Sequence, residues 1–284
     1  MSSILILSPG RCGSTWLFRL LAQHPHLAWP SRTTSRLPGG ACWAALQRWP
    51  LRELRAPLPA ALRPTPVEHY GALDAITGGR FTAPEPLPPH HLSDAQRSAL
   101  RRWVQAHAAC AGRPRTLLKL TGWPRLDLWR ALLPQAAIVV ILRDPRQAAL
   151  SLSEAPWWLG EASWRWGPRS DDEQALLIRA GNHPQVLAAL ATARLHAAYV
   201  GLAGVHHVRY DDLLRAPSDT LRALYAALDL PQHQPRIDQR DAAPRPWSAR
   251  VDPAIAQLFH AALAGCEHTA QAFSAPAPHR PGTS

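Results

Sequence analysis

A three-layer α/β fold, a central parallel sheet with helices on both faces, is predicted by three observations. Short apolar-rich runs recur at residues 4–7, 116–120 and 136–142, the last with the pattern of a strand buried on both faces, and a further short strand is expected at 206–208. Each is followed by a stretch of helical periodicity, the alternation that builds a parallel sheet through crossover helices. The first run also breaks into Ser8-Pro9-Gly10-Arg11-Cys12-Gly13-Ser14-Thr15 and passes straight into a helix. Junctions of that kind serve sheets that bind ligands beyond the carboxyl ends of their strands. At 284 residues the chain suits one large domain. We set that domain at residues 1–272 and expect 273–284, rich in Pro, Ser and Thr, to be a disordered tail.

In chain order, Trp16, Leu17, Leu20 and Leu21 form the apolar stripe of the first helix, which His24-Pro25 ends. Residues 25–89 are rich in Pro, Arg and Gly and lack long periodicity, and such a stretch inside a compact domain is functional or mobile. Ser93-Asp94 opens a helix through Leu100, Trp103 and Val104. The strand at 116–120 is closed by Gly122-Trp123-Pro124, and a short helix covers 126–133. The strand at 136–142 ends in Arg143-Asp144-Pro145-Arg146, where Asp144 can cap the next helix and Pro145 can take its first position. Asp171 begins a long helix, interrupted near Gly181-Asn182-His183-Pro184 and resuming to Tyr199. Leu221, Leu224, Tyr225 and Leu228 form an inward stripe, and Asp252-Pro253 caps a last helix to about Ala264.

The turn after the first strand has the chemistry of a phosphate-binding loop. Its backbone N–H groups and the following helix N-terminus both favour an anion, which makes the fold one of P-loop type. It departs from the loop of ATPases and kinases, which places a lysine after its second glycine. Here Gly13 is followed by Ser14-Thr15, and the cation is Arg11, ahead of that glycine. A P-loop NTPase or kinase is thereby disfavoured. The gap from Cys12 to Arg19 is one residue too long for a cysteine-phosphatase loop, so Cys12 reads as a small turn residue.

The run Arg11, Cys12, Gly13, Ser14, Thr15, Trp16, Leu17 resembles the 5′-phosphosulfate loop of the sulfotransferases that use 3′-phosphoadenosine 5′-phosphosulfate (PAPS). In that family an arginine at a strand end and a serine eight residues later hold the 3′-phosphate, and Arg143 and Ser151 reproduce the spacing. A guanidinium fork and a hydroxyl on the next helix can hold a phosphate from two sides. The segment Tyr210-Asp211-Asp212-Leu213 is similar to a family segment whose tyrosine lies near the adenine. Taken alone, Tyr210 is equally a buried tyrosine at a strand end. Arg240-Asp241-Ala242-Ala243-Pro244-Arg245-Pro246-Trp247 keeps the family's Arg-to-Trp spacing over the 3′-phosphate but loses its glycines. Arg240 is the carried-over residue, and Arg245 can replace it.

The resemblance implies a PAPS-dependent sulfotransferase that moves a sulfuryl group to a hydroxyl or amine of a small molecule or saccharide, with no metal. It also implies that residues 25–115 form the acceptor side, and that Trp157, Trp158, Trp164 and Trp166 either pack or wall the acceptor. Lys119, the single lysine of the chain, stands where the family often has a lysine near the bridging oxygen. By itself it is either that compact charge or a strand-edge lysine. The histidine that many members carry on this strand is missing from Lys119-Leu120-Thr121-Gly122-Trp123-Pro124. Glu68, His69, Asp74, Glu85, His90 and His91 remain as bases. We take His69 as the catalytic expectation, with Glu68 beside it, because both lie in the acceptor segment. The missing histidine also leaves open a catalytically inactive nucleotide-binding protein of the same fold.

Formal net charge is +11 with arginine far exceeding lysine. No basic run alternates with aromatics as single-strand binders require, so we expect no nucleic-acid partner. The positive field suits a polyanionic nucleotide. The four cysteines are scattered, with no Cys-x-x-Cys pair and no histidine at metal spacing. The adjacent pairs His90-His91 and His206-His207 chelate poorly if on strands. No stretch approaches a membrane span, and the first apolar run lacks the length and basic flank of a signal peptide. A cytoplasmic, reducing compartment is the expectation.

Overall fold

The computed structural model of the chain describes residues 3–32, 34, 40–48, 65–83, 87–158, 160, 168–237 and 247–266. Its centre is a five-stranded sheet in the order β2-β3-β1-β4-β5, built from β1 (Ser3–Ser8), β2 (Leu27–Ala28), β3 (Arg115–Thr121), β4 (Ala137–Leu142) and β5 (His206–Arg209). All four pairings are parallel. The register sets Ser8 opposite Thr121 and Leu142 opposite Arg209, so the carboxyl ends of the strands form one edge. Chain order reverses around β1, which lies between β3 and β4. A crevice opens at such a switch point.

Alternation along β1 divides the core into two layers. Ile4 and Ile6 face α1 (Ser14–Leu21) and α9 (Pro217–Ala227), meeting Leu17, Leu21, Leu224 and Tyr225. Leu5 and Leu7 face the other way, toward Leu100 and Val104 of α3 (Asp94–Ala111) and Trp129 of α4 (Leu126–Leu132). Fully burying each aliphatic side chain stabilises the fold by about 1.5–3 kcal/mol, and every residue of β1 is buried. A further cluster joins α5 (Pro145–Ser153), α7 (Pro184–Tyr199) and α10 (Ala256–Leu263) through Leu150, Leu190 and Phe259.

The predicted elements form, with local chemistry that accounts for their ends. Asp144 caps α5 by accepting from Arg146 N at 2.9 Å, and Pro145 takes the first helical position. Ser93 and Gln96 make a reciprocal capping box at α3, which runs on to Ala111, seven residues past Val104. The stretch after Asp171 is two helices, α6 (Asp171–Arg179) and α7, parted where Gly181 and Asn182 take positive φ. Among the described residues, a 3₁₀ helix at Gly40–Arg48 and two further elements escaped the sequence reading of residues 25–89. β2 is two residues long, too short to show a period, and α2 (Tyr70–Thr77) starts at a left-handed His69, φ 60°, and carries a glycine. After β5 come α8 (Tyr210–Arg215) and α9. The expected tail lies outside the described residues.

Candidate functional site

The loop between β1 and α1 is shaped by backbone conformation. Gly10, Arg11 and Gly13 have φ of 99°, 55° and 82°, left-handed values that turn successive N–H groups to one side. Gly13 sits at the N-cap of α1, so no capping side chain covers the N–H groups at the helix start, where Trp16 N donates to Gly13 O at 3.0 Å. A side chain at Gly13 has no room either, since a Cβ would lie 2.1 Å from Cδ2 of Tyr210. Cys12 points inward. Its Sγ donates to Gly10 O at 3.1 Å and lies 3.7 Å from His196 Nε2. Burial pushes its thiol up to about 12, so it is no nucleophile and can offer a ligand only its backbone.

The second loop meets the first. Arg143 Nη1 donates to Arg11 O at 3.4 Å, and Arg11 Nε donates to Ser151 Oγ at 3.0 Å. Gln147 Oε1 accepts from Arg143 Nε and Nη2 at 3.1 and 2.6 Å, fixing the plane of the guanidinium. The Arg143 guanidinium lies over the Tyr210 ring, 4.6 Å from its centroid, and Trp16 meets the same ring edge-on at 6.2 Å. Partial enclosure and then the adjacent Arg143 charge lower the Arg11 pKa, although a guanidinium stays charged at neutral pH. Two like charges held this close favour an anion between them. Arg11, Trp16, Arg143, Ser151 and Tyr210, with Ser14, Thr15 and Lys119, line a cavity of about 290 Å³.

A larger cavity of about 500 Å³ opens beside it, walled by Tyr70, Phe81, Trp123 and Trp157, with Thr82 and Arg125. The two cavities share Arg11, Thr15, Glu68, Thr121 and Trp157. At this shared wall Lys119 Nζ pairs with Glu68 Oε1 and donates to Thr15 Oγ1 at 2.8 Å. Thr121 Oγ1 donates to Glu68 Oε2 at 3.0 Å, and Tyr70 Oη lies 2.8 Å from Thr121 Oγ1 while accepting from Thr121 N at 2.7 Å. Burial, then the Glu68 charge, hold the Tyr70 phenol well above its usual range. Tyr70 Oη donates to Thr121 O at 3.2 Å, and Thr121 Oγ1 donates to the carboxylate. Lys119 is 5% exposed, which is not the exposure of a strand-edge lysine.

The structure thus gathers Arg11, Gly13, Ser14, Thr15, Trp16, Lys119, Arg143, Ser151 and Tyr210 at one edge of the sheet. His69 is placed elsewhere. Its ring stacks on Trp103 of α3 at 5.7 Å and lines neither cavity, and burial lowers its pKa. Its neighbour Glu68 instead pairs with Lys119 on the wall that the two cavities share. Arg240 and Arg245 lie outside the described residues, as do Trp164 and Trp166. Trp157 reaches the cavities, whereas Trp158 packs beside Leu152 and Ala188. Gln147, Thr121, Tyr70 and Arg125 were not read from the sequence. The i, i+4 spacing of Gln147 from Arg143 was its one local signal. Among the described residues no group of His, Cys, Asp or Glu can hold a metal ion, and no helix is long and apolar enough to cross a membrane.

Comparison with known proteins agrees with this fold. A family model described as the sulfotransferase family matches residues 3–235. The nodulation protein NoeE of Sinorhizobium fredii (strain NBRC 101917 / NGR234) is 30% identical over 232 residues, 78% of this chain and 49% of that protein. The chain thus spans about half the length of the curated relative it matches. The crystal structure of sulfotransferase STF9 from Mycobacterium avium has a similar fold, with a TM-score of 0.50 and 19% identity over 98% of this chain and 78% of that one.

Proposed function

Because the chain belongs to the sulfotransferase family, we propose that it transfers a sulfuryl group from PAPS to a hydroxyl of a small molecule or saccharide. The observation that carries this reading is the junction of the two cavities at the Glu68–Lys119 pair. The smaller cavity, rich in cations and loop N–H groups, suits the nucleotide, with Arg143 and Ser151 toward the 3′-phosphate and the Arg11–Trp16 loop toward the 5′-phosphosulfate. The larger, with aromatic walls, suits the acceptor.

In the transfer the acceptor oxygen forms a bond to sulfur as the bond from sulfur to the bridging oxygen breaks. The electron pair of that bond leaves with the nucleotide 5′-phosphate. Glu68 takes the acceptor proton, held in place by Thr121 and Tyr70. This gives the fold the general base that the strand around Lys119 lacks. Lys119 and Arg11 stabilise the negative charge that develops on the leaving phosphate, where fixed cations act most strongly. Four cysteines held as free thiols suit the reducing cytoplasm to which we assign the protein.

The test compares binding of 3′-phosphoadenosine 5′-phosphate with ADP, then transfer of labelled sulfate from PAPS across an acceptor screen. The 3′-phosphate should improve affinity, and Arg143→Ala should remove about 1.5–3 kcal/mol of that preference. Glu68→Gln should leave nucleotide binding intact and lower turnover by about 10²–10⁴-fold. Equal affinity for both nucleotides would refute the donor assignment. Nucleotide binding without transfer to any acceptor would favour an inactive relative.

A further inference from the structure

Gln147 lines neither cavity, yet it holds a cation of the smaller one. Nε and Nη2 of Arg143 both donate to Gln147 Oε1, at 3.1 and 2.6 Å, while Nη1 donates to Arg11 O at 3.4 Å. The Tyr210 ring covers one face of the guanidinium, with its centroid 4.6 Å away. The side edge of the fork is thus closed by a single acceptor. An N–H on each of Nη1 and Nη2 is left toward the cavity that Ser151 also lines.

The chemistry of the acceptor matters as much as its position. A guanidinium only donates, so it is the amide oxygen of Gln147 that faces it. Gln147 stands in the first turn of α5 and Ser151 one turn further along the same helix, which places both beside the strand end that carries Arg143. An amide oxygen orients the fork and leaves its charge whole, whereas a carboxylate in the same place would form a bidentate ion pair and cancel that charge. The neighbouring acids do not cancel it either. Asp144 is engaged by Arg146, from Nε at 2.9 and 3.2 Å and from Nη2 at 2.7 Å. Asp211, in the first turn of α8, feels the Arg143 charge, but burial is the larger influence on it and raises its pKa. Among the described residues no carboxylate pairs with Arg143, and Arg11 adds a second positive charge beside it.

We propose that Gln147 is a positioning residue that sets the preference of the smaller cavity for a 3′-phosphate, its neutral amide aiming the Arg143 guanidinium beside Ser151 without cancelling its charge. The inference rests on reading that cavity as the donor site. It is tested by calorimetric titration of the full chain with 3′-phosphoadenosine 5′-phosphate and with AMP, which differ by the 3′-phosphate alone. Wild type is compared with Gln147→Met and Gln147→Glu, and Tm is measured for each. Methionine matches glutamine in length and lacks the acceptor. Gln147→Met should therefore weaken 3′-phosphoadenosine 5′-phosphate by about ten-fold and leave AMP within about two-fold, the loss of bonds that orient a charged group. Glutamate keeps the acceptor and adds a charge. Gln147→Glu should keep the wild-type Tm and also weaken 3′-phosphoadenosine 5′-phosphate by about ten-fold, and its gap to wild type should narrow as salt is raised. A 3′-phosphate preference that survives either substitution, or an equal loss for both nucleotides in Gln147→Met, would overturn the proposal and leave the donor assignment standing. If Gln147→Met does not fold, the gap between wild type and Gln147→Glu decides alone. Equal affinity of the wild-type protein for the two nucleotides would refute the donor assignment itself, and the role of Gln147 with it.

Discussion

Gly13→Ala is the substitution through which the loop geometry can be weighed. Two separate penalties meet at this position. The φ of 82° puts an alanine in the left-handed region, at a cost of about 1–2 kcal/mol. Independently, the new Cβ would stand 2.1 and 2.4 Å from Cδ2 and Cε2 of Tyr210, so the ring must move. Displacing a packed side chain costs about 1–3 kcal/mol, and here the movement also disturbs the guanidinium of Arg143 stacked on that ring. Together the loss of stability is about 2–5 kcal/mol. For a chain of this size each kcal/mol lowers Tm by about 2–4 °C. Calorimetry on Gly13→Ala, Tyr210→Ala and the double variant separates the two parts. With the ring removed only the conformational penalty should remain, so Gly13→Ala should cost about 1–2 kcal/mol in the Tyr210→Ala background. Strict additivity, or a Gly13→Ala protein with wild-type Tm, would refute the claim that Tyr210 and the loop backbone are in contact.

Lys119→Ala should lower kcat more than nucleotide affinity, because a cation that matters as charge develops acts on the transition state. Lys119→Arg should restore little, since a planar fork fits poorly between Thr15 and Glu68; steady-state kinetics beside nucleotide titration checks both. Acid should destabilise the protein through His107 and His196, which burial holds down to about 4. Their unfolded value is near 6.5, so the unfolded chain binds more protons between pH 6.5 and 4, and stability falls as pH falls through that window. Each contributes a loss of about 3 kcal/mol by pH 4, and denaturant titration of His107→Leu across that range should show a shallower decline than wild type.

Much of the smaller cavity was legible because its chemistry is local. A buried strand, a glycine turn and a helix start specify one another within about a dozen residues, and Asp144-Pro145 marks a helix entry on its own terms. The larger cavity was not legible for the opposite reason. Its residues come from α2, the segment at Phe81, the end of β3 and Trp157, and no period or spacing links them. Glu68 and His69 illustrate the point, since adjacency made them equal candidates and a single left-handed backbone angle sent one to Lys119 and the other to Trp103.

From sequence alone came the parallel α/β fold, the glycine-bearing turn after the first strand, and Arg143 and Ser151 at their spacing, all properties of neighbouring residues and short-range hydrogen bonding. The tertiary structure decided which carboxylate reaches Lys119 and where Arg125 sits against Phe81. It also decided why Gly13 must lack a side chain, because the constraint there is the ring of Tyr210 as much as the turn itself. Those outcomes depend on packing between elements far apart in the chain, and the free energy of such contacts is set by distances that a linear order of residues does not contain.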